Sequence, residues 1–143
     1  MPINKDLIAK KLEFLNRHLS AIERMEFDEQ SFADDEDIHD LIIFRSQQSV
    51  ETCIDIANHL INSRNLPRKE TAKDALLFLG DQKIISKQLS LNMGGAVDFR
   101  NRVVHVYNNF DYHVFYKDYK KDVKDLRLFG KEIIKLIETS QKS

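Results

Sequence analysis

One cysteine, two prolines and four glycines are all that 143 residues hold. Cys53 cannot close an intramolecular disulfide, and its neighbours Ile54, Ile56 and Ala57 mark it as a small buried hydrophobe. So few turn formers exclude an all-β fold rich in hairpins and leave helices as the expectation. No apolar run approaches the roughly 18 residues that span a bilayer, and Met1-Pro2-Ile3-Asn4-Lys5 lacks the apolar stretch of a secretion signal. A cytoplasmic protein without a membrane partner is therefore expected. A net charge of -1 excludes a broad basic coat for nucleic acid, because neutralising phosphate takes clustered Lys and Arg. Any RNA contact must be local.

What is present is the balance of one globular domain over residues 1–143, with 42% hydrophobic and 31% charged side chains. Ile8, Leu12, Leu15, Leu19 and Ile22 recur at spacings of four and three and predict a helix from about Asn4 to Met25. Ser31-Phe32-Ala33-Asp34 resembles a capping box, and the acidic run Asp34 to Asp37 suits the positive end of a helix dipole. Consecutive carboxylates on one turn point in different directions, so that run is a poor metal site. The helix it opens is expected from Asp35 to Ser63, roughly 40 Å long. Its stripe is Ile38, Leu41, Ile42, Val50, Cys53, Ile54, Ala57, Leu60 and Ile61, with Ile43 and Phe44 widening the apolar surface toward the core or a partner.

Asn65-Leu66-Pro67 marks a turn. A short helix is expected over Thr71 to Leu79, interrupted by Gly80, and a second through Lys87 to Leu91, capped by Asp81 and broken by Asn92-Met93-Gly94-Gly95. A further helix starting near Gly95 and ending at Asn108-Asn109 is followed by an aromatic connection from Asp111 to Tyr119. The last helix, Lys121 to Glu138, carries Val123, Leu126, Phe129, Ile133 and Ile137. Thr139 to Ser143 is expected to fray. The fold class is all-α, an antiparallel helical bundle with short accessory helices.

The chemistry concentrates in Arg100-Asn101-Arg102-Val103-Val104-His105-Val106-Tyr107. At 100° per residue Ala96, Phe99, Val103 and Val106 share one arc, the face that meets the core. His105 and Asn101 form an i, i+4 pair on the far side, while Arg100 and Tyr107 share a stripe bordering the core arc. Cleaving RNA with its own 2′-hydroxyl needs a base, an acid and cationic donors for the phosphorane. Histidine titrates near neutrality and arginine presents planar, permanently charged donors, so this segment suits metal-independent RNA cleavage. Arg102, nearer on the wheel to His105 than Arg100 is, is a second cation for substrate.

Arg100 and His105, however, lie about 140° apart on a regular helix. Three routes would unite them: the long Arg side chain curls round the helix, the helix loosens before His105, or a second copy of the segment completes the site. A two-fold dimer would supply two His and at least two Arg.

These residues resemble the HEPN superfamily, whose ribonucleases carry Arg, usually a polar residue such as Asn next, and His after four to six residues. His105-Val106-Tyr107 and the preceding Asp98-Phe99 resemble the HepT toxins in particular. The resemblance implies a dimeric helical bundle that cleaves RNA, tRNA among the candidates, with Arg100 and His105 catalytic and Asn101 supporting them; no cofactor is expected. It also implies a minimal nucleotidyltransferase antitoxin as partner, silencing the toxin by transferring AMP to Tyr107. Phosphodiester-linked AMP would place negative charge and bulk beside a cationic cleft, opposing RNA phosphate. The alternative reading is a noncatalytic HEPN subunit presenting substrate to a nucleotidyltransferase. Tyr112, Phe115, Tyr116 and Tyr119 match no motif; they either stack RNA bases or pack a loop onto the bundle.

Overall fold

The computed structural model describes residues 3–105 and 111–141, and for 102–105 and 140–141 the helical backbone alone. Six helices follow in order: α1 (Lys5–Arg24), α2 (Glu29–Asp34), α3 (Glu36–Ser63), α4 (Ala72–Asp81), α5 (Lys87–His105) and α6 (Tyr112–Gln141). The described residues contain no strand. Helices α1, α3, α5 and α6 surround a core in which Ile8, Leu19, Ile42, Ile56, Leu60, Met93, Phe129 and Ile133 are fully buried. Cys53 is buried among them, which pushes its thiol far above the ordinary range and keeps it protonated.

Each long helix opens where a side chain can replace the missing backbone partner. Asn4 accepts from the Leu7 amide at 3.0 Å and starts α1; Asp35 accepts from Asp37 and Ile38 and starts α3. The acidic run thus serves the α3 N-terminus as its composition predicts. Ser31 has another task. It is the third residue of α2, a helix of six residues that the sequence reading did not separate, and forms a reciprocal capping box with Asp28. Phe32 anchors that short helix at 0% exposure.

Two expected breaks are absent. Asn92-Met93-Gly94-Gly95 lies inside α5, which is helical from Lys87 to His105. Glycine costs about 1 kcal/mol per helical position, but Leu89, Met93, Ala96 and Val97 are all buried along one face, and that burial outweighs the propensity. Gly94 also lets Lys73 of α4 approach: a Cβ there would stand 3.0 Å from the Lys73 Cε. Gly80 likewise sits within α4, where a Cβ would fall 2.2 Å from the Ser90 hydroxyl, so this glycine serves the close crossing of α4 and α5. The intervening turn places Lys83 in the left-handed region at φ 60°, and the Ser86 hydroxyl, rather than Asp81, accepts from the first turn of α5.

The aromatic connection expected from Asp111 to Tyr119 is helix as well. Asp111 accepts from the His113 and Val114 amides and opens α6, and Phe115 and Tyr119 begin the buried stripe that Val123, Leu126, Phe129 and Ile133 continue. A period of about 3.6 therefore runs unbroken through the aromatics into the expected last helix. At the other end α6 extends to Gln141, beyond the expected end at Glu138, and the last two residues of the expected tail lie outside the described residues.

Candidate functional site

Helix α5 carries the first two residues of the motif to the seam between α3 and α5. Ala96 and Phe99 are buried, 1% and 3% exposed, as the expected core arc requires. That phase leaves Arg100 half-buried at the border of the core and Asn101 exposed. Arg100 turns toward α3, where its Nε stands 3.0 Å from Oε1 of Glu51. The contact is an ion pair by proximity: Nε is buried, and its N–H is not aimed closely enough at the carboxylate to count as a hydrogen bond. Glu51 is the charged neighbour of Arg100 that sequence reading missed. It lies 49 positions away on another helix, and no local spacing announces such a pair.

Arg100 and Asn101 also form one wall of a cleft of about 640 Å³ between α3, α5 and the segment leading into α4. Its other cationic lining residues are Arg68, Lys69 and Lys73. Lys73 is bound to both oxygens of Asp98 at 3.0 and 3.2 Å, which ties α4 to α5 one turn before Asn101. Asp98, singled out by the family resemblance, thus has a visible structural task.

Arg102 and His105 lie on α5, whose backbone stays helical through His105; Tyr107 falls outside the described residues. A helix continuous from position 100 to 105 keeps those two positions about 140° apart. Of the three routes considered, loosening of the helix is therefore removed. Curling of the Arg100 side chain is opposed by its pairing with Glu51. Among the described residues no group of three or more His, Cys, Asp and Glu is placed to hold a metal ion.

The aromatic run goes elsewhere. Phe32 and Phe115 stack at 5.1 Å between centroids, Phe115 and Tyr119 at 5.8 Å, and Phe99 meets Phe115 at 4.9 Å. These rings fasten α2 and α5 to α6. Of the two alternatives for the run, packing is the one the fold adopts.

Residues 13–133 match the family model described as "Ribonuclease HepT-like". The chain belongs to that family. Its relatives include the mRNA nuclease HepT of Shewanella oneidensis, 27% identical over 124 residues that cover 87% of this chain and 93% of that protein. The tRNA nuclease HepT of Aphanizomenon flos-aquae is also 27% identical, over 109 residues, covering 73% of this chain and 72% of its own length. Among solved structures, the tri-AMPylated Shewanella oneidensis HEPN toxin in complex with MNT antitoxin superposes with a TM-score of 0.81 at 27% identity, covering 90% of this chain and 96% of the toxin. The helical bundle read from the sequence is the fold of this family. As for the membrane, no helix among the described residues is long and apolar enough to cross one.

Proposed function

We propose that this protein is the toxin of a toxin–antitoxin pair, a ribonuclease that cleaves RNA without a metal and is neutralised by a minimal nucleotidyltransferase. The observation that carries this reading is the family match over residues 13–133, with Arg100-Asn101-Arg102-Val103-Val104-His105-Val106-Tyr107 intact inside it. The 2′-hydroxyl attacks the adjacent phosphorus as His105 removes its proton, and the P–O5′ bond breaks as an acid protonates the departing 5′-oxygen. A 2′,3′-cyclic phosphate and a 5′-hydroxyl result. Arg100 balances the negative phosphorane, with Asn101 and Arg102 supporting substrate.

One chain brings one His105 to this reaction, so we assign the second proton transfer to a second copy across a two-fold axis. Exposed apolar rings on α1 and α3 support a dimer: Phe14 is 48% and Phe44 52% exposed. Phe44 lies seven residues before Glu51 and so shares its face of α3, the face that holds Arg100. Silencing is assigned to AMP transfer onto Tyr107, which adds phosphate charge and so opposes the RNA phosphate. The two named nuclease relatives differ in RNA class, mRNA in one and tRNA in the other, so the substrate is assigned as RNA with tRNA one candidate.

Sequencing RNA ends after expression of the wild type, His105→Ala and Arg100→Ala tests the reading. Both variants are expected to lose cleavage and growth inhibition by 100-fold or more, roughly the contribution of one acid–base or oxyanion group. Cleavage by the wild type should persist in a chelator and stop when the partner enzyme and ATP are added, whereas Tyr107→Phe should remain active. Full cleavage by both variants would overturn the proposal, and a chelator-sensitive reaction would overturn its metal-independent form. RNA binding without cleavage would favour the noncatalytic subunit.

A further inference from the structure

The cleft beside Arg100 contains more cation than the motif accounts for. Arg68, Lys69, Lys73, Arg100 and Asn101 line it, and Glu70 is the one carboxylate on its described lining. Two of the cations are already engaged: Arg100 with Glu51, and Lys73 with both oxygens of Asp98. Arg68 and Lys69 are different. They stand on the segment between α3 and α4, where Asn65 turns the chain at φ 58° and Thr71 caps the amide of Asp74 at 3.0 Å. The Lys69 ammonium is held 4.0 Å above the centroid of Phe78, a cation–π contact that fixes its stem without consuming its charge. On a chain of net charge -1, this is a local concentration of positive charge opening directly onto Arg100 and Asn101.

We propose that this cleft is the groove through which the RNA backbone reaches Arg100, with Arg68 and Lys69 as its phosphate contacts. This rests on the ribonuclease reading above and assigns where the strand lies. The volume of about 640 Å³ is in the range of sites that take a nucleotide-sized group. No aromatic ring is among the described lining residues, so the groove offers no stacking platform. It contacts phosphate and ribose, and it contributes affinity and register with little preference for base. An acidic protein surface would use the same charges, but the opening onto the two motif residues favours the substrate.

The test measures binding and cleavage separately. The binding probe is a fluorescent single-stranded RNA carrying 2′-O-methyl groups, which cannot be cut by internal attack, titrated at several salt concentrations. Arg68→Gln/Lys69→Gln is expected to weaken binding roughly tenfold and to reduce the slope of log affinity against log salt by about 1.4, two phosphates at about 0.7 each for a single strand. Lys10→Gln/Lys135→Gln removes the same charge from exposed positions outside the cleft and is expected to retain wild-type affinity and slope. The charge-preserving Arg68→Lys/Lys69→Arg should bind within a few-fold of wild type, and its melting temperature, with that of the glutamine variant, checks the fold.

Unchanged affinity and slope in Arg68→Gln/Lys69→Gln would overturn the groove while leaving the ribonuclease reading intact. So would weakening of antitoxin binding alone, which would mark an acidic protein as the occupant. An equal loss in Lys10→Gln/Lys135→Gln would also overturn it, since only general charge would then matter. If the cleavable RNA is never cut while the probe still binds through Arg68 and Lys69, the groove stands and the catalytic reading falls.

Discussion

Around Arg100 the chain keeps charge within reach of solvent, whereas at residues 112–119 it places rings of comparable size inside a seam. Both stretches suit nucleic acid by composition, one through guanidinium and ammonium groups and the other through base-stacking surfaces. The fold separates them by phase. Phe115 and Tyr119 fall on the stripe that meets the core and are 4% and 8% exposed, while Asn101 falls on the opposite side of its own helix from Ala96 and Phe99. Residue chemistry states what a side chain is able to bind, and helical phase states whether a ligand ever meets it. Charge stays with the cleft and the aromatic surface goes to the bundle.

The strongest way to break that contrast is Phe32→Ala. The ring is fully buried, stacked on Phe115 at 5.1 Å and edge-on to Tyr112 at 5.6 Å, and it is the only buried anchor of α2. Removing it should cost about 3 to 5 kcal/mol of unfolding free energy, measured by urea denaturation, and should abolish hydrogen-exchange protection in α2 first. Loss of RNA affinity at unchanged stability would contradict the contrast, because it would put the aromatic cluster in contact with substrate.

Most of the fold was legible because it is written in period. The bounds of α1, expected as Asn4 to Met25 and found as Lys5–Arg24, follow from five apolar residues on one stripe and a capping asparagine. The errors arose where single residues were weighed against the pattern around them. Gly94 and Gly95 read as a break because glycine disfavours helix, but Met93, Ala96 and Val97 on either side are buried by α5's neighbours, a tertiary effect absent from the local string. At the site, the wheel placed Asn101 outward and Arg100 at the core border, as found. Glu51, Arg68 and Lys69 were invisible, since what joins them to Arg100 is the packing of three segments rather than any spacing.

A smaller effect tests the charged side of the contrast. Glu51 is half-exposed and its pair with Arg100 spans α3 and α5, so Glu51→Gln should change stability by less than about 1 kcal/mol. Its effect on cleavage should be larger, a fall of about 3- to 10-fold in kcat with KM near that of wild type, because the guanidinium loses the carboxylate that directs it. Arg100→Ala under the same conditions sets the floor. An unchanged kcat in Glu51→Gln would show that Arg100 is directed by something other than this pair.

The smallest expected effect lies at the wet rim of the aromatic seam. His113, in the first turn of α6, hydrogen-bonds through Nδ1 to the carboxylate of Glu29 at the start of α2. That hydrogen bond, and then the Glu29 charge, push the imidazole above its ordinary value. A raised folded value means that the native state binds the proton more tightly than the unfolded chain. The contribution is fully present below about pH 6.5 and is lost as pH rises through the folded value. His113→Gln should therefore lower the urea midpoint relative to wild type at about pH 5.5, and the gap should close at about pH 8.5. Both partners are largely in water, so the gap should be far smaller than the loss in Phe32→Ala, although both act on the α2–α6 seam. A gap of equal size at both pH values would mean that His113 contributes through packing rather than charge, and the seam would then be apolar out to its rim.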